Sequence, residues 1–458
     1  MIEYLERLLV RLWNGSRRQP RAVPEATALD LGVKISPDGE TQGRIAIPQS
    51  KRAEHIALLG KTGTGKSSAL RYCAAQDVQS RHGFLYFDLH GDGTPFILGC
   101  IADEEAKSHE DLSGRLIVID PADPEVSVGM NPLESPDASA RFVQIAEFAE
   151  VLRRRWKLDS FGARTDELLR NALYVLAECD LTLLELAPLL THAAFRAGCL
   201  KRTANPEVRQ YFELRYGTQS EAMQAVMREP ILNKTTAFTA DPRFRHIVGQ
   251  YSTFSLLTAL DAGAWIVLNL HKGKLGEQSP TLAALLFTAI KNALFARRNR
   301  TLFTLYADEV QNLVAQGSEM ETMLSEARKF GGSMVSANQY LDQYPPEMRA
   351  AILAVGTHVF FQLSSPDAQV IANALDGGKA LAERLKNLPR RHMVVKSGSA
   401  AWTEGIVPTV QMPKADPADL YARSRARWAR KRSDIEAEIQ ARQAVAQRAP
   451  SEALNDWE

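Results

Sequence analysis

Gly60-Lys61-Thr62-Gly63-Thr64-Gly65-Lys66-Ser67 fits the pattern G-x-x-x-x-G-K-[ST]. The glycines let backbone N–H groups turn inward around phosphate oxygens with no Cβ in the way. Lys66 is placed to reach the β- and γ-phosphates of a nucleoside triphosphate, and the Ser67 hydroxyl to ligate Mg²⁺. Ser68 continues the cradle into a helix whose positive dipole end faces the anion. The flanks are those such a loop requires: HIALL reads as a strand before it, and SSALRYCAA as a helix after it.

A phosphate-bound Mg²⁺ needs a carboxylate on a neighbouring strand. Leu302-Phe303-Thr304-Leu305-Tyr306-Ala307-Asp308-Glu309 is an apolar run ending in two acids, which are costly beside a buried edge unless they have a task. Asp308 would hold Mg²⁺ through its waters, and Glu309 is the natural base or polariser for the attacking water. The nucleotide expected is ATP. Guanine is commonly read by N-K-x-D, and the nearest strings, Asn233-Lys234-Thr235-Thr236 and Asn269-Leu270-His271-Lys272, lack the aspartate.

These residues need a scaffold. Residues 29–47 hold two alternating runs around Pro37-Asp38-Gly39 and predict a hairpin. Strands are expected at 55–59, 84–88 and 116–120, with helices between them, and this rhythm predicts a parallel sheet covered by helices. From about 138 to 251 helical spacing takes over (FVQIAEFAEVLRRRW, TDELLRNALYVLAEC, TLLELAPLL). The strand–helix rhythm then returns, with strands at 265–270, 302–307, 333–337 and 358–363. The expected organisation is an N-terminal helix and linker over 1–28 and an α/β nucleotide-binding domain over 29–137 and 252–413. An all-helical insertion over 138–251 splits that domain, and a basic helical tail follows over 414–458.

Composition is that of a globular protein: 45% hydrophobic, 24% charged and a net charge of +1. Nucleic acid would therefore be met by local basic patches and not by global charge. Cys73, Cys100, Cys179 and Cys199 form no C-x-x-C pair, which argues against a zinc site or disulfide framework and for a reducing cytoplasm. No apolar run reaches the length of about 20 residues that crosses a bilayer. Residues 1–14 have amphipathic helical spacing, for packing on the protein itself, docking a partner or lying at the periphery of an inner membrane. Their mixed charges exclude a signal peptide.

Taken together, the strings HIALLGKTGTGKS, FDLHGD, MNPLE, FGARTDELLRNAL, ILNKTTAF, NLHKGKLG, YADEVQN, LSEARKFG and ANQYLDQ follow one another over about 32–410. In that order they resemble the HerA/FtsK superfamily of ring translocases, and within it the TraG/TraD-type coupling ATPases of conjugation and type IV secretion. The resemblance implies a RecA-like P-loop fold, ATP and Mg²⁺, a hexameric ring and DNA as cargo. It also implies a relaxase or secretion component as partner. It further gives Arg328, 20 residues after Asp308, the role of an arginine finger for the neighbouring subunit, worth roughly 10³–10⁵ in rate in other NTPases. Gln339 takes the position of a polar sensor that contacts the γ-phosphate or the water. Unlike the membrane-bound coupling proteins, this sequence shows no transmembrane helices and resembles the short-headed members. Rival readings are a HerA-like repair or defence translocase working with a nuclease, a docking module, and a polypeptide-moving secretion ATPase.

A ring pump needs positive pore contacts to phosphates. Lys272 and Lys274 in HKGKLG, and Arg297, Arg298 and Arg300 after a long helix, are the candidates, against a bland reading as solvated charges. Arg153–Arg155 with Trp156 and Lys157, and the run RSRARWARKR at 423–432, offer further basic surfaces under the same alternative. His90 with Asp88 and Asp92 suggests either a metal or a loop cap.

Overall fold

The computed structural model describes residues 28–36, 39–135, 138–313 and 317–448. The amphipathic stretch at 1–14, the linker, part of the hairpin turn and residues 449–458 lie outside the described residues.

Thirteen strands are described: β1 (Leu29–Ile35), β2 (Thr41–Ile47), β3 (Ile56–Leu59), β4 (Gly83–Asp88), β5 (Leu116–Ile119), β6 (Val126–Ser127), β7 (Trp265–Asn269), β8 (Phe303–Asp308), β9 (Gly332–Asn338), β10 (Thr357–Phe360), β11 (His392–Ser397), β12 (Thr403–Ile406) and β13 (Arg430–Lys431). Eleven of them form one sheet in the order β2-β1-β12-β11-β10-β3-β9-β8-β4-β7-β5. The run from β10 to β5 is parallel throughout. Its strands are nearly continuous apolar runs, such as IALL and LIVI, because both faces are covered.

Alternation along each strand sends side chains to two cores. Phe84, Tyr86, Trp265 and Val267 pack with the helix Lys66–Gln79 and the helix Gly93–Ser108 on one face. Leu85, Phe87, Ile266 and Leu268 pack on the other face, against the helix Ser279–Phe295. That helix is buried along nearly its whole length, as its all-round apolar sequence requires.

Between Ala138 and Asp261 the described chain holds helices and no strand. The helix Ala163–Glu178 buries Leu168, Leu169, Ala172, Leu173 and Leu176, the helical spacing read in the sequence. This helical segment shares one apolar cluster with the face of the sheet that carries Leu85 and Phe87. It is therefore braced on the sheet and not hung from it.

The hairpin at 29–47 forms as β1 and β2, and β1 joins the sheet through β12. Sequence reasoning offers no strand at 392–406, where β11 extends the sheet antiparallel to β10 and β12 follows antiparallel to β11. The apolar run there, MVV, is too short to announce itself. The C-terminal segment closes the other edge. Ser424, on the helix Ala418–Trp428, donates its hydroxyl to the Leu116 carbonyl of β5 at 2.7 Å, covering part of an edge that would otherwise template foreign strands.

The basic run at 423–432 is largely neutralised within the chain. Arg423 pairs with Glu105, Asp111 and Asp419, Arg425 with Asp123 and Glu125, and Arg430 with Glu438. Arg432 donates to the carbonyls of Pro121, Asp123 and Pro242. These bases fasten the tail to its own protein.

Candidate active site

β3 runs straight into the loop Gly60–Gly65, and the helix Lys66–Gln79 begins at its end. Gly65 has φ +128°, and a Cβ there would meet Arg391 Cα at 3.1 Å and the Phe361 ring at 3.2 Å. A Cβ on Gly60 would lie 2.6 Å from that of Phe361. The end of β10 therefore presses the loop into shape, and only glycine fits beneath it. Lys66 Nζ curls into the cradle and donates to the carbonyls of Gly60 at 2.5 Å and Lys61 at 3.0 Å. Burial lowers its pKa, while Asp308 and Glu309 oppose that shift.

β8 lies across β9 from β3 and delivers the acids to the same edge. Ser67 Oγ donates to Asp308 Oδ2 at 2.7 Å. Burial pushes the Asp308 carboxyl above its ordinary pKa, offset by that hydroxyl, Lys66 and His90. A desolvated carboxylate beside a hydroxyl is an all-oxygen donor set, which suits a hard cation such as Mg²⁺.

Glu309 follows in the left-handed region, at φ +53° and ψ +50°. Its backbone N–H donates to the Ala337 carbonyl at 2.9 Å, the last rung between β8 and β9 before the backbone turns. Glu309 Oε1 accepts from Gln339 Nε2 at 3.0 Å, and Oε2 accepts from Asn312 Nδ2 at 3.1 Å. Gln339, at the end of β9, also accepts from the Thr62 hydroxyl at 3.1 Å. A continuous polar path thus runs from the phosphate loop to the acid. An open cleft beside it is lined by Lys61, Thr62, Gln339, Tyr340 and Ser364.

Arg328 sits elsewhere. It lies in the 3-10 turn Ala327–Phe330 that precedes β9, pairs with Glu54 at 3.2 Å and keeps its side chain 59% exposed. Gln339 is at the other end of that strand. Seven residues at about 3.3 Å each separate the two by roughly 20 Å. Arg328 therefore cannot serve the phosphate loop of its own subunit.

The candidate nucleic-acid contacts divide. Lys272 and Lys274 are exposed on the short helix Lys272–Leu275 after β7, at the same edge as the site. The Lys272 N–H donates to the Leu89 carbonyl at 3.0 Å. In the loop carrying Leu89, His90 Nε2 approaches Glu309 Oε1 at 3.8 Å. Arg297 is a correction to the sequence reading. It is buried, pairs with Asp261 at 2.9 Å and donates to the Phe330 and Thr301 carbonyls, so its charge is committed to structure. Arg298 is exposed but precedes β8, at the opposite edge. Trp156 is buried too, and Arg153 is paired with Glu150.

Asp88 resolves to a cap: it accepts from the Gly91 and Thr94 N–H groups and the Thr94 hydroxyl. No group of three metal-ligating side chains occurs among the described residues.

One constellation escaped sequence reasoning. Arg52 and Asp77 form an ion pair with both side chains 1% exposed. Arg52 also donates to Thr304 and Tyr306 on β8 at 2.8 Å each, and the Tyr306 hydroxyl donates to Asp77 at 2.6 Å. The phosphate-loop helix is thereby bolted to the strand that ends in Asp308. The available signal was an acid at Asp77, one helical turn after Cys73 and Ala74 on the buried stripe.

No protein-family model matches the chain, and no curated protein matches it by sequence. Solved structures do. The bacterial conjugative coupling protein TrwBdeltaN70, in an unbound form, is 15% identical with a TM-score of 0.57, covering 90% of this chain and 93% of its own. The plasmid coupling protein TrwB in complex with ADP and Mg²⁺ is 16% identical with a TM-score of 0.62, covering 87% and 99%. VirB4 of Thermoanaerobacter pseudethanolicus is 16% identical with a TM-score of 0.56, covering 85% and 98%. The chain has the RecA-like P-loop fold of these proteins.

Proposed function

We propose that this chain is an ATP-driven DNA translocase of a conjugative or type IV secretion-like transfer system, with ATP hydrolysed between subunits of a ring. The observation that carries the reading is the convergence of Lys66, Ser67, Asp308, Glu309 and Gln339 at one edge of the sheet. Structures of TrwB with ADP and Mg²⁺, and with a non-hydrolysable ATP analogue, support nucleotide use on this fold. TrwB also has a complex with a GTP analogue, so the expected preference for ATP is a point to measure.

When bound, Mg²⁺ would neutralise charge on the β- and γ-phosphates, held by Ser67 directly and by Asp308 through water. Lys66 binds the same phosphates as a point charge. Glu309 takes a proton from the attacking water, and Gln339 senses the γ-phosphate through its bridge to Thr62. The position of Arg328 at the far edge supports a finger offered to the next subunit, which in turn requires an oligomer. Lys272 and Lys274 are the proposed phosphate-backbone contacts. Arg298 would meet DNA only on the opposite face. Partners of the proposed pump are a relaxase or a secretion component. No helix among the described residues is long and apolar enough to cross a membrane, and a cytoplasmic or inner-membrane peripheral placement fits the proposal.

The test is ATP turnover with and without single- and double-stranded DNA, alongside native mass. The expected result is stimulation by DNA, a multimer, and no turnover in Lys66→Ala. Turnover indifferent to DNA but raised by a polypeptide would move the assignment to protein secretion.

A further inference from the structure

The two oxygens of Glu309 are tethered to different parts of the molecule. Oε1 is held by Gln339, which leads to the phosphate loop. Oε2 is held by Asn312, at the end of the single 3-10 turn Val310–Asn312. The Asn312 N–H donates to the Glu309 carbonyl at 2.9 Å, closing that turn. The Asn312 carbonyl in turn accepts from an Arg155 guanidinium N–H at 2.9 Å. Arg155 is the last residue of the helix Ala138–Arg155, the first helix of the helical insertion. A short hydrogen-bonded path therefore joins the insertion to the carboxylate, through the oxygen that Gln339 does not hold.

The backbone of Glu309 makes this tether consequential. A non-glycine residue at φ +53° stays there only when its surroundings hold it. With both oxygens anchored, the carboxylate plane is fixed. With only Oε1 anchored, the group rotates about its last bond, and a displacement of about 1 Å at a reacting group costs up to about 10²-fold in rate.

We propose that Asn312 is a positioning residue for hydrolysis, and that Arg155 makes its placement depend on the helical insertion. The inference rests on Glu309 being the group that orients the attacking water. It identifies the end of the helix Ala138–Arg155 as the point where the insertion is read by the hydrolytic site.

The experiment compares steady-state ATP turnover and ATP affinity in the full chain for wild type, Asn312→Ala, Arg155→Gln, Arg155→Lys and the double variant Asn312→Ala/Arg155→Gln. Asn312→Ala should lower kcat about 10- to 100-fold and leave KM and nucleotide Kd within about twofold, because Asn312 does not touch the phosphate loop. Arg155→Gln should lower kcat by a smaller factor, and Arg155→Lys should recover part of it through its own donor to the carbonyl. The double variant should match Asn312→Ala alone, since the bond from Arg155 to the carbonyl at 312 reaches the carboxylate only through the Asn312 amide. An unchanged kcat in Asn312→Ala, a KM rising in step, or losses that multiply would overturn the proposal. If Asn312→Ala does not fold, Asn312→Ser makes the same comparison. Absence of turnover in the wild type would sink the reading of the site. Turnover in the wild type with Asn312→Ala equal to it would sink only this inference.

Discussion

Burial gives several residues their character. It raises the pKa of Asp308 and lowers that of Lys66, so each charge depends on the other and on the ligand both are suited to hold. His55 is the clearest case away from the site. It is buried, its Nδ1 accepts from the Met334 N–H at 3.0 Å, and its Nε2 hydrogen points to the Leu324 carbonyl at 2.9 Å. Burial lowers its pKa to about 4, with Arg328 adding to the shift. The folded value lies below the unfolded one near 6.5, so protonation favours the unfolded chain. Its contribution is full above about pH 6.5 and is lost as pH falls through 4, about 3 kcal/mol in all. Urea unfolding across that window should steepen accordingly, and His55→Asn should flatten the slope. An unaltered slope would remove His55 from the account. At this scale the sequence was most legible for where the loop Gly60–Gly65 and the acid pair fall, between a strand and a helix and at the end of a strand, because those flanks are the ones that phosphate and metal chemistry would require. It was least legible for Arg297, where a base after a helix looks the same whether it meets solvent or Asp261.

The elements that matter are those that hold Ser67 beside Asp308. The phosphate-loop helix and β8 share the buried Arg52–Asp77–Tyr306 network. Breaking a buried pair from one side leaves an uncompensated charge and costs about 3–5 kcal/mol. Asp77→Leu should lower stability to urea by that amount, whereas Arg52→Met with Asp77→Leu should recover most of it. A loss below about 1 kcal/mol in Asp77→Leu would show that the network carries little. The strand–helix rhythm was readable because fully buried parallel strands are continuous apolar runs between turn signals. β11 and β12 were not, since a short half-covered hairpin carries little hydrophobic pattern. The ion pair escaped because Arg52 and Asp77 lie 25 residues apart and no local pattern links them.

At the scale of the whole molecule, the proposed function gives the two edges of the sheet different work. The phosphate loop, Asp308, Glu309 and Lys272 lie at one, and Arg328 at the other. A residue that cannot reach its own site but is exposed and basic is suited to a neighbour's. Mixing Arg328→Ala with Lys66→Ala subunits should restore part of the turnover that each lacks, because some interfaces then pair an intact loop with an intact arginine. No restoration, with both variants assembled, would place the finger elsewhere.

The account depends on Glu309 acting in the chemical step and not in binding. Single-turnover hydrolysis of Mg-ATP by wild type and Glu309→Gln, each at saturating nucleotide with its ATP affinity measured, tests this most directly. The account predicts that Glu309→Gln binds ATP as the wild type does and leaves it uncleaved. Cleavage at the wild-type rate would contradict it.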